Sequence, residues 1–239
     1  MLACSLDNRT LTVSDAGPPP KGVLLVADRQ GLVDGSNAAG ITGYWYVNSD
    51  AIEPGYCLAV GFSADQCSTV LTPPHDGYAF AAPDPSRICT SGVAAKVIVN
   101  PSTMALDFDH IWGTNLGLDF NNLDRTNVNR GGSYDAPAHG ITGFSFVIDA
   151  PPASIRIVFS TDASPYQAAY WGGATAPTSH VLPGLNVVRW ADVGGPMYLA
   201  DPPAFDPTHL RGIQFTVVSN ATQSIPFDFC VGGLTALTD

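Results

Sequence analysis

Residues 139–159 read HGITGFSFVIDAPPASIRIVF. Phe144, Phe146 and Ile148 alternate with Ser145 and Val147, and after Ala150-Pro151-Pro152-Ala153 the residues Ile155, Ile157 and Phe159 alternate with Arg156 and Val158. Successive side chains of a strand point to opposite faces, so apolar residues at every second position predict two strands that each bury one face. The two prolines carry no N–H for a ladder and are predicted to form the connection, which makes the pair a hairpin of adjacent strands.

The same pattern extends in both directions. VLLVA at 23–27 reads as a buried strand, and ITGYWYVN at 41–48 as another. Strands are also predicted at 56–62, 70–71, 78–81, 93–99, 111–121, 166–173, 185–190, 212–218 and 226–231. Residues 121–139 lack apolar periodicity and read as a long loop, the kind of segment that carries function. The helical signal is a single turn at 206–210, where Asp206-Pro207 supplies an N-cap and a first-turn proline. GITGYWYV at 40–47 is echoed by GITGFSFV at 140–147, which predicts equivalent strands in two sheets.

Composition agrees with an all-β chain. Hydrophobic residues make up 45% of the 239, enough for a sizeable core, while charged residues reach only 13%. The 24 glycines and 20 prolines are spread throughout, as many turns require. The acids are almost all aspartate, a loop residue, with Glu53 the single glutamate. The net charge is −11 and the 10 Lys and Arg residues are scattered singly, which argues against nucleic acid or an anionic membrane as partner. No run approaches the 18 or so apolar residues of a transmembrane helix.

The five cysteines lack a CxxC pair, so an exported protein with disulfides is the better reading than a zinc or redox site. Cys57 and Cys67 flank a short polar segment, and Cys89 and Cys230 are expected to pair at long range. Cys4 is then odd. Met1-Leu2-Ala3-Cys4 resembles the end of a bacterial lipoprotein signal, which would make 1–21 a tether and 22–239 a single β-sandwich domain; the alternative is an ordinary cysteine.

The order of GYWYVNSD, IWGTNLGLDFN, HGITGFSFVID with IRIVF, and RGIQFTVV leading to FDFCVGGLTAL spans most of 22–237. This order resembles jelly-roll β-sandwiches of the carbohydrate-binding-module type, with a galactose-binding-like fold, and is similar to exported proteins of soil bacteria such as myxobacterial lipoproteins. The resemblance implies a concave sheet lined by aromatic residues that stack on sugar rings.

The residues themselves supply candidates for such a site. Tyr44, Trp45, Tyr46, Trp112, Tyr170, Trp171 and Trp190 gather near strand ends, and indole or phenol faces match the C–H faces of sugars. Ring faces from Trp112, Tyr170, Trp171 and Trp190, with hydrogen bonds from Asn115 and Arg189, are the expected ligand contacts; the competing reading is that most of these rings are core. Asp107-Phe108-Asp109-His110 would place two carboxylates on one face if extended, a candidate acid–base or cation pair. Asp28, Asp34 and Asp228 are candidate ligands for a structural calcium, the alternative being turn aspartates, and no other cofactor is implied. The five histidines lack metal-ligand spacing, and no GxSxG elbow is present. The leading expectation is a non-catalytic glycan-binding module outside the cell or in the envelope, touching membrane only through Cys4. A hydrolase or lyase using Asp107, Asp109 and His110, and a structural or adhesion protein with a large exposed apolar patch, are the alternatives.

Overall fold

The computed structural model describes residues 21–52, 55–72, 86–100, 102–123, 132–162, 181–194 and 204–239, together with the backbone of 168–171. The strands are β1 (Gly22–Leu24), β2 (Leu32–Val33), β3 (Gly43–Ser49), β4 (Thr69–Thr72), β5 (Arg87–Ala94), β6 (Gly113–Asp119), β7 (Gly143–Asp149), β8 (Ile155–Thr161), β9 (Ala168–Trp171), β10 (Gly184–Arg189), β11 (Val193–Gly194), β12 (Leu210–Val218) and β13 (Ile225–Leu237). One sheet has six strands in the order β10-β7-β13-β5-β4, with β1 also on β13; the other has seven, β11-β9-β8-β12-β6-β3-β2. Within them β5-β13-β7-β10 and β6-β12-β8-β9 follow the jelly-roll order, in which the chain keeps changing sheets and the first and last strands lie side by side. The protein is an antiparallel β-sandwich, as its alternation predicted. Helical structure among the described residues is limited to short 3-10 turns. One of them is the predicted turn at Pro207–His209, where the Asp206 carboxylate accepts from the Thr208 N–H at 2.9 Å.

The core is built from every second residue of both sheets. Phe144, Phe146 and Ile148 of β7 meet Ile155, Ile157 and Phe159 of β8 and Phe215 of β12 in one buried cluster. Phe146 contacts Phe215 edge-on at 4.9 Å, and Phe144 stacks on Phe159 at 6.1 Å.

The strand pair of residues 139–159 is not a hairpin. β7 ladders with β10 and β13, whereas β8 ladders with β9 and β12, so the connection carries the chain from one sheet to the other. Alternation shows that each strand buries a face; it is silent on whether the two faces lie side by side or opposed. Pro151 and Pro152 remove two ladder donors, and Ala150 adopts a left-handed φ of 42°, which turns the chain out of its sheet. Other boundaries also moved. Residues 56–61 form turns rather than a strand, and β5 begins at Arg87 and ends at Ala94, short of the predicted 93–99 strand. Its buried face is Ile88, Thr90, Gly92 and Ala94, too small and polar to give a clear apolar alternation. Cys4, His75, His180 and the strand expected at 78–81 lie outside the described residues.

The two GITG echoes fold alike. Gly40 and Gly140 take left-handed φ values of 66° and 69°, and their N–H groups donate to Asn37 and Pro137. A Cβ at Gly43 would lie 1.7 Å from the Asp119 carbonyl oxygen, and at Gly143 2.1 Å from that of Val188. One corner launches β3 into the seven-stranded sheet and the other launches β7 into the six-stranded sheet, which is the predicted equivalence. The corners touch. Tyr134 stacks on His139 at 5.0 Å and donates its hydroxyl to the Ala39 carbonyl at 2.6 Å. Burial pushes that phenol up to about 12, so it stays a donor at neutral pH.

Both expected disulfides are present, Cys57–Cys67 and Cys89–Cys230. The first closes a loop whose small apolar cluster of Cys57, Cys67, Ala95, Val97 and Ile111 is separate from the main core. Asp50, fully buried at the end of β3, anchors that loop to the sheet. Its carboxylate accepts from the Ser68 N–H and hydroxyl, both at 2.7 Å, and from the Gly113 N–H at 2.8 Å. Burial raises its pKa above 3.8 although these hydrogen bonds pull the other way. The folded protein therefore holds this proton more tightly than the unfolded chain does. The group's contribution to stability is complete below 3.8 and is lost as pH rises through the folded pKa. Asp50→Ala strands three buried donors and is expected to lower the unfolding free energy by about 3 kcal/mol in urea titrations, and to remove that acid-side slope.

Candidate functional site on the seven-stranded sheet

Residues of the seven-stranded sheet that do not enter the core occupy its outer face, and the register lines them up in rows across the strands. Tyr46, Gly117, Gln214 and Val158 make one row, continued in backbone register by Tyr170 and Gly194. Asn48, Asn115, Thr216 and Arg156 make the next. Although they face outward, Tyr46, Asn48 and Asn115 are only 1%, 3% and 9% exposed, so this part of the face is recessed.

The floor is held by its own hydrogen bonds. A Cβ on Gly117 would lie 2.5 Å from Cζ of Tyr46, so the glycine lets the phenol ring lie across β6. The Tyr46 hydroxyl then accepts from Gln214 Nε2 at 2.7 Å. This orients the Gln214 amide and leaves its Oε1 without a partner among the described residues. In the next row Thr216 Oγ1 donates to Asn115 Oδ1 at 2.5 Å, which leaves the Asn115 NH₂ group to donate outward. Thr216 stands in register with both Asn115 and Arg156, so the guanidinium comes from the neighbouring strand on the other side. A further outward residue, Asp119, takes a hydrogen bond from Asn122 Nδ2 at 3.3 Å. Adjacent strands lie roughly 4.8 Å apart, so oriented amides, hydroxyls and a guanidinium repeat across the floor at about that interval.

Of the predicted contacts, Asn115 lies on this floor, and Tyr170 continues the neighbouring Tyr46–Gln214 row in backbone register. The side chains of Tyr170 and Trp171 are outside the described residues. Trp112 is half-buried just before β6 and meets Tyr56 edge-on at 6.1 Å, beside the first disulfide loop. Arg189 and Trp190 are occupied elsewhere. Arg189 donates to Thr142 Oγ1 at 2.8 Å and pairs with the Asp239 carboxylate at 2.9 Å, which lowers that carboxyl's pKa. Trp190 packs on Phe144, Phe159 and Phe205 and donates its indole N–H to the Ile141 carbonyl at 2.8 Å. Both its face and its polar tip are used within the fold, and Trp45 is core as well. Among the described residues, Trp45, Trp112 and Trp190 do not line one surface.

Asp107 and Asp109 part company, because the segment is a turn rather than extended chain. Asp107 is buried and accepts from Asn100 Nδ2 and shares a hydrogen bond with His110 Nδ1, each at 2.7 Å. Burial pushes its pKa up, but the bonds from Asn100 and His110 outweigh that and hold it below the usual carboxylate range. Asp109 is exposed. Asp28 is spent on the N–H groups of Gln30 and Leu32, and Asp34 on Ser36, while Asp228 stands opposite Ser91 at the far end of β13 from its contact with β1. Among the described residues no three His, Cys, Asp or Glu side chains gather into a metal-binding group.

Gln214, Thr216 and Arg156 were not singled out from the sequence. The signal was there: Gln214 and Thr216 alternate with Ile213, Phe215 and Val217, and Arg156 lies between Ile155 and Ile157. Alternation puts them on an outer face, but only the strand order puts them on the same one.

The ladders thus define an all-β jelly-roll sandwich with a polar, recessed sheet face. Among solved structures the chain is similar to the family 11 carbohydrate-binding module of the cellulosomal cellulase Lic26A-Cel5E of Clostridium thermocellum, with a TM-score of 0.42 and 11% identity, covering 81% of this chain and 86% of that one. No protein-family model matches the sequence, and neither does any curated protein. The jelly-roll order is read from the ladders themselves and owes nothing to that likeness.

Gly117→Val is expected to push the Tyr46 ring off β6 and break its hydrogen bond to Gln214. A crystal structure of the variant checks this: the hydroxyl should stand well beyond hydrogen-bonding distance of Nε2, with the sheet register unchanged.

Proposed function

We propose that the protein binds a polysaccharide or glycan across the outer face of its seven-stranded sheet and does not transform it. The observation that carries this reading is the pair of polar rows. Asn115, Gln214 and Arg156 are positioned on three adjacent strands and present unspent donors and an acceptor, while Thr216 and Tyr46 fix their orientation. Pre-oriented amides and guanidinium groups suit hydroxyl-rich ligands, because little side-chain freedom is lost on binding. The acid–base candidates support a non-catalytic role: Asp107 and His110 satisfy each other within the turn that precedes β6. Two disulfides favour an exported protein, and attachment through Cys4 belongs to the same proposal.

One feature favours adhesion as a second reading. At the end of the sandwich where the Cys57 N–H meets the His110 carbonyl, Tyr56, Leu58, Val60, Val99, Met104 and Phe108 are exposed, Met104 to 78%. An adhesive protein would use this apolar end and leave the polar floor idle.

A glycan array followed by affinity electrophoresis separates the two. The wild type should be retarded by at least one polysaccharide, and Asn115→Ala and Gln214→Ala should each weaken binding roughly tenfold. A folded sample that no glycan retards would sink the proposal. Loss of binding on changing Leu58 and Met104 to Ser, with the floor variants unaffected, would favour adhesion.

A further inference from the structure

We infer that the sugar bound on this floor is acidic, with a carboxylate or sulfate group seated on Arg156. This rests on the glycan reading and narrows it to a ligand class.

Arg87 and Arg189 are half-buried, and each is paired with a carboxylate, Asp149 and Asp239. Arg156 is half-buried too, yet it has no ion pair or side-chain hydrogen bond among the described residues. With 21 acids against 10 Lys and Arg in the chain, carboxylates are plentiful, yet among the described residues none pairs with this guanidinium. Its row-mates Asn48, Asn115 and Thr216 are neutral, so they can hydrogen-bond an anionic sugar without neutralising Arg156. The neighbouring position in its own strand pair, Val158 in register with Gln214, carries no charge either. The acid on this face, Asp119, sits on β6, two strands away from β8 and beyond the Tyr46–Gln214 row, and is already bonded to Asn122.

A guanidinium presents a planar fork of N–H donors that fits carboxylate and sulfate oxygens in bidentate fashion. A neutral hydroxyl uses a fraction of that capacity. The net charge of −11 does not forbid an acidic ligand, since at physiological ionic strength charges beyond about 8 Å are largely screened and the contact at Arg156 is much closer. The same screening makes the interaction salt-sensitive.

The test is isothermal titration calorimetry of the full chain with four polymers: polygalacturonate, its carboxyl-reduced form, dextran sulfate and dextran. Neutral glycans found on an array are added as a fifth arm. At least one acidic polymer should bind roughly tenfold or more tightly than its neutral counterpart. Arg156→Gln should abolish that preference at an unchanged melting temperature, and Arg156→Lys should keep part of it, because charge survives while the fork is lost. A preference among the acidic polymers identifies the group as carboxylate or sulfate. Equal affinity for charged and neutral partners, binding confined to neutral glycans, or a preference that survives Arg156→Gln overturns the inference and leaves the glycan reading intact. A folded protein that binds none of the polymers or array glycans overturns both.

Discussion

Two sheets share one dry interior, and everything else follows from the need to fill it from both sides. Phe146 reaches down from one sheet to meet Phe215 rising from the other, and Trp45 stacks on the same Phe215 at 6.2 Å. Because strand side chains alternate, each residue committed to that interior sends its neighbours outward. Ile213, Phe215 and Val217 face in, so Gln214 and Thr216 face out; Ile155 and Ile157 face in, so Arg156 faces out. The polar floor is thus the obligatory reverse of the apolar core. A one-residue slip of β12 would bury Gln214 and expose Phe215, so the floor is as firmly registered as the core itself.

The alternation around residues 139–159 was enough to read the architecture, because buried and outward positions differ sharply in polarity there. It was not enough to place β7 and β8 in different sheets, since opposed faces and neighbouring faces leave the same pattern in a sequence. β5 was misplaced for a related reason: Thr90, Gly92 and Ala94 are buried without being large or apolar. The cysteine pairs were readable from spacing and number. A large amphipathic ring suits both a sugar and a core edge, and Trp190 is the second of these, its N–H satisfied by a backbone carbonyl. Arg156 lies far along the chain from Gln214 and Thr216 and becomes their neighbour only through strand order.

Several features around the floor serve rigidity. Gly117 permits the Tyr46 ring to lie flat, Tyr46 orients Gln214, and Thr216 orients Asn115. Asp50 grips the start of β6 through Gly113, so the strand that carries Asn115 is anchored at its beginning by a buried carboxylate. The GITG corners do the same for the entries to β3 and β7, through paired left-handed glycines and close backbone approaches that leave no room for a side chain. Under the proposed reading such preorganisation would lower the ordering cost of binding.

The bridge between Cys89 and Cys230 joins strands β5 and β13, directly opposite one another in register. Tension arriving along the backbone before residue 89 and leaving after residue 230 passes through sulfur instead of through the 141-residue span between them. Asn115, Arg156, Gln214 and Thr216 all belong to that span and stay off the load path. Of the floor residues, Tyr46 and Asn48 lie outside it, on β3, which its ladder to β6 and the Asp50–Gly113 hydrogen bond hold in place. The part of the floor carried by β6, β12 and β8 would therefore keep its shape under such load for as long as the bridge stayed oxidised.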